Sequence, residues 1–322
     1  MLNPDGWDPK NHAALTAFLD AEAKRPGRKV AVFDWDNTVI KNDIGDAAFI
    51  GLLDRGMVAT PDDWRRTNPY LTDAAVQALK KGATPELIFT IYNSMKTPDG
   101  SLAFAGHDPK ITEAAYAWLG HLLAGNTPDA IRRASREIFE RQLANPIGAT
   151  RRIGNDTIAD YIRIYPQIAD LIGGLERSGF EVWVVSATPK YIIDPCVAMV
   201  GIPQERVIGI ENVVGPDGKL TYDLIGCGPY GNDSRIISFR DGKRCWINET
   251  IFGMTSGDPL LPNPDPEKRP RFGAGDSDGD ISFLEDTTGL RLFIDKGRPL
   301  DVQKEARANK DGRWLIQEPF IG

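Results

Sequence analysis

The apolar positions near the start of the chain predict a helix followed by a core strand. A helix is predicted from Pro9 to Lys24, because Leu15, Phe18 and Leu19 recur at helical spacing. The next element is an unbroken apolar run from Val30 to Phe33, which is typical of a strand buried on both faces of a sheet. The chain therefore opens with the pattern of an α/β protein.

Helical patterns then dominate from about residue 44 to about residue 165, with hardly any strand-like run. Thr84-Pro85 and Thr127-Pro128 are start signals, since each places a capping hydroxyl before a proline in the first turn. The predicted helices are Ala47 to Arg55, Asp73 to Lys81, Pro85 to Met95, Thr112 to Ala124 and Pro128 to Leu143. This region is predicted to be an inserted helical module.

Strands and helices alternate again after this module. A helix is predicted from Ile164 to Arg177, a buried strand from Phe180 to Val185, a hairpin near residues 207–224 and a last strand from Leu290 to Ile294. We predict an α/β fold, a doubly wound parallel sheet with an inserted α-helical domain. Its predicted parts are residues 1–43 (core), 44–165 (helical insertion) and 166–322 (core).

Composition narrows the class of partner. The 322 residues are 41% hydrophobic and 26% charged, with a net charge of −7 and no basic stripe, so nucleic acid is not an expected partner. No apolar run approaches the roughly 18 residues of a membrane span, and no membrane association is expected. The first residues lack a signal peptide, which predicts a cytoplasmic protein; a longer natural start would instead allow a periplasmic or secreted one. The oligomeric state is not predicted.

The three cysteines are too few for a disulfide framework and lack the spacing of metal ligands. A single bridge between Cys227 and Cys245 remains open.

Two carboxylates end the first predicted strand. Side chains alternate along a strand, so Asp34 and Asp36 should leave the sheet on the same side, at the edge where parallel sheets bind ligands. Like charges this close repel unless a cation lies between them or one carboxylate keeps its proton. The alternative is an ordinary polar turn after a core strand.

Later strands also end in polar groups. Ser186 and the amides after it follow the strand that begins at Phe180, where they could hold a phosphoryl oxygen or cap the next helix. Lys243 lies in a polar turn, where a solvated surface lysine is the alternative. Asp276 and Asp280 follow the predicted strand near residue 272, at a spacing that can place both on one face of a starting helix.

Two other interpretations of this second acidic cluster fail on the sequence. Gly275 to Gly279 matches the serine hydrolase motif Gly-x-Ser-x-Gly, but no histidine follows it. A calcium loop would require glycine at Ile281 and glutamate at Thr287.

Taken in order, the motifs resemble those of the haloacid dehalogenase superfamily of phosphatases. They are Asp34-x-Asp36-x-Thr38, Ser186, Lys243 and Gly275-Asp276-Ser277-x-x-Asp280, each set of acids or hydroxyls following a strand. The resemblance covers nearly the whole chain, because the helical insertion looks like the type 1 cap of that family on a Rossmann-like core.

The resemblance implies a role for each motif residue. Asp34 would be the nucleophile that forms an aspartyl-phosphate, and Asp36 the general acid and base. Groups expected to bind the phosphoryl oxygens are Thr38, Ser186, Ala187 and Lys243. The expected cofactor is Mg²⁺, with Asp34, Asp276, the backbone carbonyl of Asp36 and, directly or through water, Asp280 as its ligands.

The resemblance also implies a small-molecule phosphate ester as substrate, hydrolysed rather than dehalogenated because Asp36 is present. Phosphoserine phosphatases and bacterial phosphorylcholine phosphatases are the most similar members. Asp43 lies at the position where phosphoserine phosphatases carry a glutamate that binds the substrate's amine. Asp46 is a second acidic candidate for this role. Aromatic residues of the insertion could line a pocket for a quaternary ammonium group, but we expect most of them in the core: Trp64, Tyr70, Tyr92 and Trp118. The alternatives are a phosphotransferase with the same intermediate and a non-catalytic binding protein of the same fold.

Overall fold

The structure is a computed structural model that describes residues 2–228 and 234–321. The helices of these residues are α1 (Pro9–Glu22), α2 (Ile44–Asp54), α3 (Asp73–Lys81), α4 (Pro85–Ser94), α5 (Ala114–His121), α6 (Pro128–Ala144), α7 (Pro166–Arg177), α8 (Lys190–Val197), α9 (Asp241–Trp246), α10 (Ile281–Asp286) and α11 (Asp301–Ala308). None of these helices combines the length and the apolar character that crossing a membrane requires.

The strands of the same residues are β1 (Lys29–Phe33), β2 (Ile40–Lys41), β3 (Thr150–Ile153), β4 (Asp156–Ala159), β5 (Arg163–Ile164), β6 (Phe180–Pro189), β7 (Val207–Val214), β8 (Leu220–Ile225), β9 (Phe272–Gly275), β10 (Leu290–Ile294) and β11 (Trp314–Gln317). Seven of them form the main sheet in the order β11-β10-β9-β1-β6-β7-β8. Every neighbouring pair is parallel except β7 and β8, which form the predicted hairpin. The predicted α/β fold with a doubly wound parallel sheet is confirmed.

Strand β1 lies at the centre of this sheet and is buried along its whole length. Its register sets Ala31 opposite Val182 of β6 on one side and opposite Phe272 of β9 on the other. Because the three strands are parallel, their carboxyl ends meet at one edge of the sheet. The polar groups that follow β1, β6 and β9 are therefore neighbours in space although about 240 residues separate the first from the last.

Helices are the main secondary structure of the segment between residues 44 and 165, as predicted. The hydroxyls of Thr84 and Thr127 cap α4 and α6, each accepting a hydrogen bond of 3.2 Å from a first-turn amide. The hairpin of β3 and β4 was not expected. It escapes prediction because only one of its eight strand residues, Ile153, is buried, so no apolar face repeats with period two. The domain boundaries near residues 44 and 165 remain predictions.

The helical segment is fastened to the β7–β8 hairpin. The buried side chain of Asn212 donates to the carbonyl oxygens of Gly120 in α5 and Thr221 in β8, both at 2.9 Å. Gly120 permits this approach, since an added Cβ would lie 2.9 Å from Ile210. The hairpin thus connects the helical segment to the main sheet.

A disulfide joins Cys227 to Cys245, which settles the pairing that the sequence left open. Both cysteines are buried, and the third, Cys196, is a buried free thiol. The bridge closes a loop that ends two residues after Lys243, so it ties the lysine's helix α9 to the chain that leaves β8.

We expect loss of this bridge to destabilise the fold, because it constrains the unfolded chain. The cysteines are 18 residues apart, and a loop of this size corresponds to about 3 kcal/mol of unfolding free energy. The double variant Cys227→Ala with Cys245→Ala should lose roughly that amount in urea unfolding. Reductant should lower the stability of the wild type and leave the double variant unchanged; equal sensitivity of both proteins would contradict the assignment.

Candidate active site

The turn after β1 places two carboxylates on the same side of the sheet. The backbone amide of Asp34 donates to the carbonyl oxygen of Ala274 at 2.9 Å, so the pairing with β9 continues past the end of β1. Asn37 then adopts a left-handed conformation (φ 60°), which reverses the chain. Trp35, between the two acids, is fully buried on the opposite side, as strand alternation predicts.

Lys243 holds two of the acids together. Its ammonium donates to Asp34 Oδ1 and to Asp280 Oδ1, both at 2.7 Å. Its side chain is only 3% exposed, so the alternative of a surface lysine is wrong. The two carboxylates keep the pKa of Lys243 above its ordinary value although burial opposes this. The lysine therefore stays charged in a site that is rich in acid.

The loop after β9 orients Asp280. The second carboxylate oxygen of Asp280 accepts hydrogen bonds from the amides of Asp276 and Ser277 at 3.0 and 3.1 Å. Gly275 lies directly against it, and an added Cβ would come within 2.7 Å of the Asp280 carboxyl carbon. Glycine is thus required where the strand ends and the acid folds back over it.

Three carboxylates form a group that fits a divalent cation. Oxygen atoms of Asp34, Asp276 and Asp280 all lie within 4.8 Å of one another, and the three residues are buried. Burial raises the pKa of Asp34 to about 8, with Asp280 adding to the shift and Lys243 opposing it. Hard oxygen donors with surplus negative charge are what Mg²⁺ prefers. The residues predicted as metal ligands therefore suit that ion.

Asp36 has a different environment from Asp34. Its two carboxylate oxygens accept hydrogen bonds of 2.7 Å from the amide of Ile44 and from the Thr188 hydroxyl. Burial, followed by the charges of Asp43 and Asp34, raises the pKa of Asp36 well above its ordinary value. The side chain of Asp36 therefore lies outside the group of three carboxylates, and its raised pKa favours the protonated form; its backbone carbonyl as a metal ligand remains a prediction.

The predicted phosphate-binding groups lie around the same cavity. Ser186, Ala187 and Lys243 line it, while the Thr38 hydroxyl donates to Asp34 Oδ2 at 3.0 Å. Ser186 is held by its neighbours, because its hydroxyl accepts from the amide of Thr188 at 3.1 Å and its carbonyl accepts from Ser238 at 2.6 Å. The structure thus brings together all the predicted phosphate-binding residues.

The cavity measures about 410 Å³ and extends from these groups to the helical segment. Asp43 and Asp46 line its far wall with Tyr92 and Tyr116, and the same four residues line an adjoining cavity of about 140 Å³. Glu113 also borders the smaller cavity, and its buried Oε1 has no hydrogen-bond partner among residues 2–228 and 234–321. This end of the site is therefore acidic and aromatic.

Some cavity residues were missed from the sequence. Thr188 was overlooked as a partner of Asp36, and the aromatic walls Tyr116 and Phe239 lie on elements far apart in the chain. Lys296, which lines the cavity and forms an ion pair with Asp276, was also missed. For Thr188, the sequence offered one signal, a second hydroxyl two residues after Ser186.

The expectation that most aromatic residues of the helical segment belong to the core is confirmed. Trp64 and Trp118 are 3% and 0% exposed and pack against each other with ring centroids 6.4 Å apart. Tyr70 packs on His107, at 5.7 Å between ring centroids. Tyr92 is the exception, since it lines both cavities.

Comparison with known proteins identifies the family. A profile of haloacid dehalogenase-like hydrolases matches residues 31–237, so the chain belongs to this family of hydrolases and the resemblance predicted from its motifs is confirmed. A search among curated proteins found no match. The match includes Asp34, Asp36 and Ser186 and ends before Lys243 and Asp276, which the fold brings to the same edge.

Solved structures share the fold at low sequence identity. A conserved functionally unknown protein from Anaerococcus prevotii DSM 20548 superposes with a TM-score of 0.67 at 19% identity, covering 98% of this chain and 93% of that chain. A protein with unknown function from Bordetella pertussis Tohama I gives 0.56 at 19% identity, with 92% and 100% covered. A substrate-bound phosphoserine phosphatase complex gives 0.42 at 16% identity, with 87% and 91% covered. The first two show a common fold, and the third is too distant to carry an argument.

The acidic wall should make stability depend on pH. Burial and the nearby Asp43 raise the pKa of Asp46 to about 8, against about 3.9 in the unfolded chain. Because the folded value is the higher one, this stabilising contribution is complete below about pH 4 and is lost as pH rises through about 8. We therefore expect the unfolding free energy of the wild type to fall as pH rises. Its slope should be steeper than the slope of Asp46→Asn by up to about 1.4 kcal/mol per pH unit.

Urea unfolding between about pH 5 and about pH 8, with chelator present, measures this difference. Asp20→Asn, an exposed substitution on α1, is the matched control and should follow the wild type. Parallel pH curves for Asp46→Asn and the wild type would refute the assignment.

Proposed function

We propose that the protein is a Mg²⁺-dependent phosphomonoesterase that hydrolyses a small-molecule phosphate ester through an aspartyl-phosphate on Asp34. The observation that carries this proposal is the pairing of two acids with opposite roles in one cavity. Asp34 is bound to the charged Lys243 at 2.7 Å, whereas Asp36 is bound to neutral donors and has a pKa well above its ordinary value. Lys243 lowers the pKa of Asp34, and a divalent cation bound beside it would lower this pKa further, so Asp34 is suited to attack as a carboxylate and Asp36 to donate a proton.

In the first step, a carboxylate oxygen of Asp34 attacks phosphorus and the bond from phosphorus to the ester oxygen breaks. Asp36 gives its proton to the departing oxygen, which leaves as an alcohol. Lys243, Thr38 and the hydroxyl and amides at Ser186 and Ala187 stabilise the charge of the phosphoryl oxygens. Asp36 is held in place for this transfer by Ile44 and Thr188.

In the second step, the Asp36 carboxylate removes a proton from water, whose oxygen attacks phosphorus. The bond between phosphorus and Asp34 breaks, so inorganic phosphate leaves and the Asp34 carboxylate is restored. A divalent cation held by Asp34, Asp276 and Asp280 would neutralise charge on the phosphoryl group during both steps.

Asp34→Asn should lower the rate of phosphate release by roughly 1,000-fold or more, because an amide is a poor nucleophile. The measurement is phosphate release from a panel of small phosphomonoesters, with Mg²⁺ and with chelator. Asp278→Asn is the matched control, since Asp278 lies two residues from Asp276 but accepts the amide of Val302, at 2.9 Å, and is absent from the described lining of the cavity.

A full rate in Asp34→Asn would exclude this residue as the nucleophile. Absence of turnover in the wild type with Mg²⁺ would favour a binding protein of the same fold. Transfer of the phosphoryl group to an added alcohol in preference to water would indicate a phosphotransferase.

For the substrate, we propose an ester with a cationic group, of the phosphoserine or phosphorylcholine kind, read by Asp43 and Asp46. Support comes from the acidic and aromatic wall opposite the catalytic acids. Tyr92 interacts with Asp46 and lowers its pKa, which burial raises, and the ring centroids of Tyr92 and Tyr116 lie 6.4 Å apart in the lining of the smaller cavity. Carboxylates and aromatic faces both attract an ammonium group.

Asp43→Asn tests this assignment with little effect on the fold. Asp43 caps α2 by accepting the amide of Asp46 at 3.0 Å, and asparagine is an equally good cap. We expect kcat/KM to fall about tenfold for phosphoserine or phosphorylcholine, which corresponds to about 1.4 kcal/mol, and to change less than about twofold for phenyl phosphate. Equal losses for charged and uncharged esters would argue against a cation site.

A further inference from the structure

Lys296 is a second cation at the acidic cluster, and the reaction proposed above gives it no role. It follows β10, lines the cavity and forms an ion pair with Asp276 Oδ2. The Asp276 side chain is 6% exposed and the Lys296 side chain 22%. The ammonium therefore reaches from the cavity wall to a carboxylate that lies below the surface.

The two lysines of the cluster are held very differently. Lys243 is 3% exposed and donates to both Asp34 and Asp280. Lys296 is partly exposed, forms one ion pair within the described part of the chain, with Asp276, and precedes Gly297, whose φ of 74° marks a tight turn. Moving Lys243 would leave two buried carboxylates without their partner, whereas Lys296 can withdraw into the cavity at much lower cost.

Asp276 is also one of the three carboxylates that suit a divalent cation. An ammonium and a divalent ion that share one carboxylate repel each other. Near a protein surface, even two unit charges at about 4 Å repel each other strongly. Binding of the metal ion at this group must therefore overcome the presence of Lys296 or displace its ammonium from Asp276.

We propose that Lys296 sets the metal affinity of the site by competing with the divalent cation for Asp276. This inference rests on the proposed function, because it takes Asp34, Asp276 and Asp280 as the metal ligands. Lys296 is in this sense a positioning residue, acting on the reaction through Asp276. Its charge keeps the acidic cluster balanced and makes metal binding weaker and exchangeable.

The test is calorimetric titration of the purified full chain with MgCl₂, a readout independent of activity. Lys296→Met removes the charge but keeps most of the side chain's length. We expect it to bind Mg²⁺ about tenfold more tightly than the wild type, a change of about 1.4 kcal/mol. If Lys296 were merely structural, its replacement would weaken Mg²⁺ binding. The direction of the change in Mg²⁺ affinity therefore distinguishes the two roles.

Arg298→Met is the matched control. Arg298 lies in the same turn, lines the same cavity and has no ion pair among the described residues. Its removal subtracts the same charge without freeing Asp276, so the Mg²⁺ affinity should change less than about twofold. Lys296→Arg, which keeps a cation at the position, should remain close to the wild type.

Equal tightening in Lys296→Met and Arg298→Met would show a general charge effect and overturn the competition at Asp276. Unchanged or weaker binding in Lys296→Met would also overturn it, provided that circular dichroism shows a folded protein; Lys296→Gln serves as the second substitution if it does not. If the wild type binds no divalent cation, the proposed function fails and this inference with it. If the wild type binds Mg²⁺ and the Lys296 variants bind it with unchanged affinity, this inference fails while the proposed function stands.

Discussion

The double ion pair of Lys243 is the interaction on which the site depends. Three carboxylates are buried within 4.8 Å of one another, an arrangement that their mutual repulsion and loss of hydration strongly disfavour. Lys243 reaches two of them at 2.7 Å and stays charged. An apolar cluster of the same volume would give a more stable edge of the sheet, but it could hold neither a metal ion nor a phosphoryl group. The protein thus keeps an arrangement that costs stability at the place where the proposed chemistry requires it.

The position of Lys243 is fixed by the disulfide loop and by contacts with the helical segment. The loop closed by the disulfide ends within helix α9, and that loop also carries Phe239 into the cavity wall. On the same side, backbone amides of Ile237 and Asp241 donate to Ile111 and Lys110 of the helical segment at 3.2 and 2.9 Å. The groups proposed for catalysis and the walls proposed for specificity are therefore coupled through one covalently closed loop.

The cavity has two ends with different origins. Acids and hydroxyls at the ends of β1, β6 and β9 form the end at the sheet, and their positions are fixed by the parallel register. Residues of α2, α4 and α5 form the other end, where exposed and partly exposed side chains can vary without disturbing the sheet. Such a division lets the chemistry stay constant while the substrate differs, since each end is built by separate elements.

The sequence by itself determined the local elements and the order of the motifs. An apolar run that ends in Asp34 and Asp36 defines a buried strand and its functional edge, and Thr84 and Thr127 define helix starts, because these signals need only neighbouring residues. Tertiary structure alone decided that Lys243 is buried, that Thr188 holds Asp36 and that Lys296 reaches Asp276. These contacts join residues 20 to more than 200 positions apart, and no local period encodes which of 38 basic residues will meet a given carboxylate. Only the packing of the sheet brings the partners within reach.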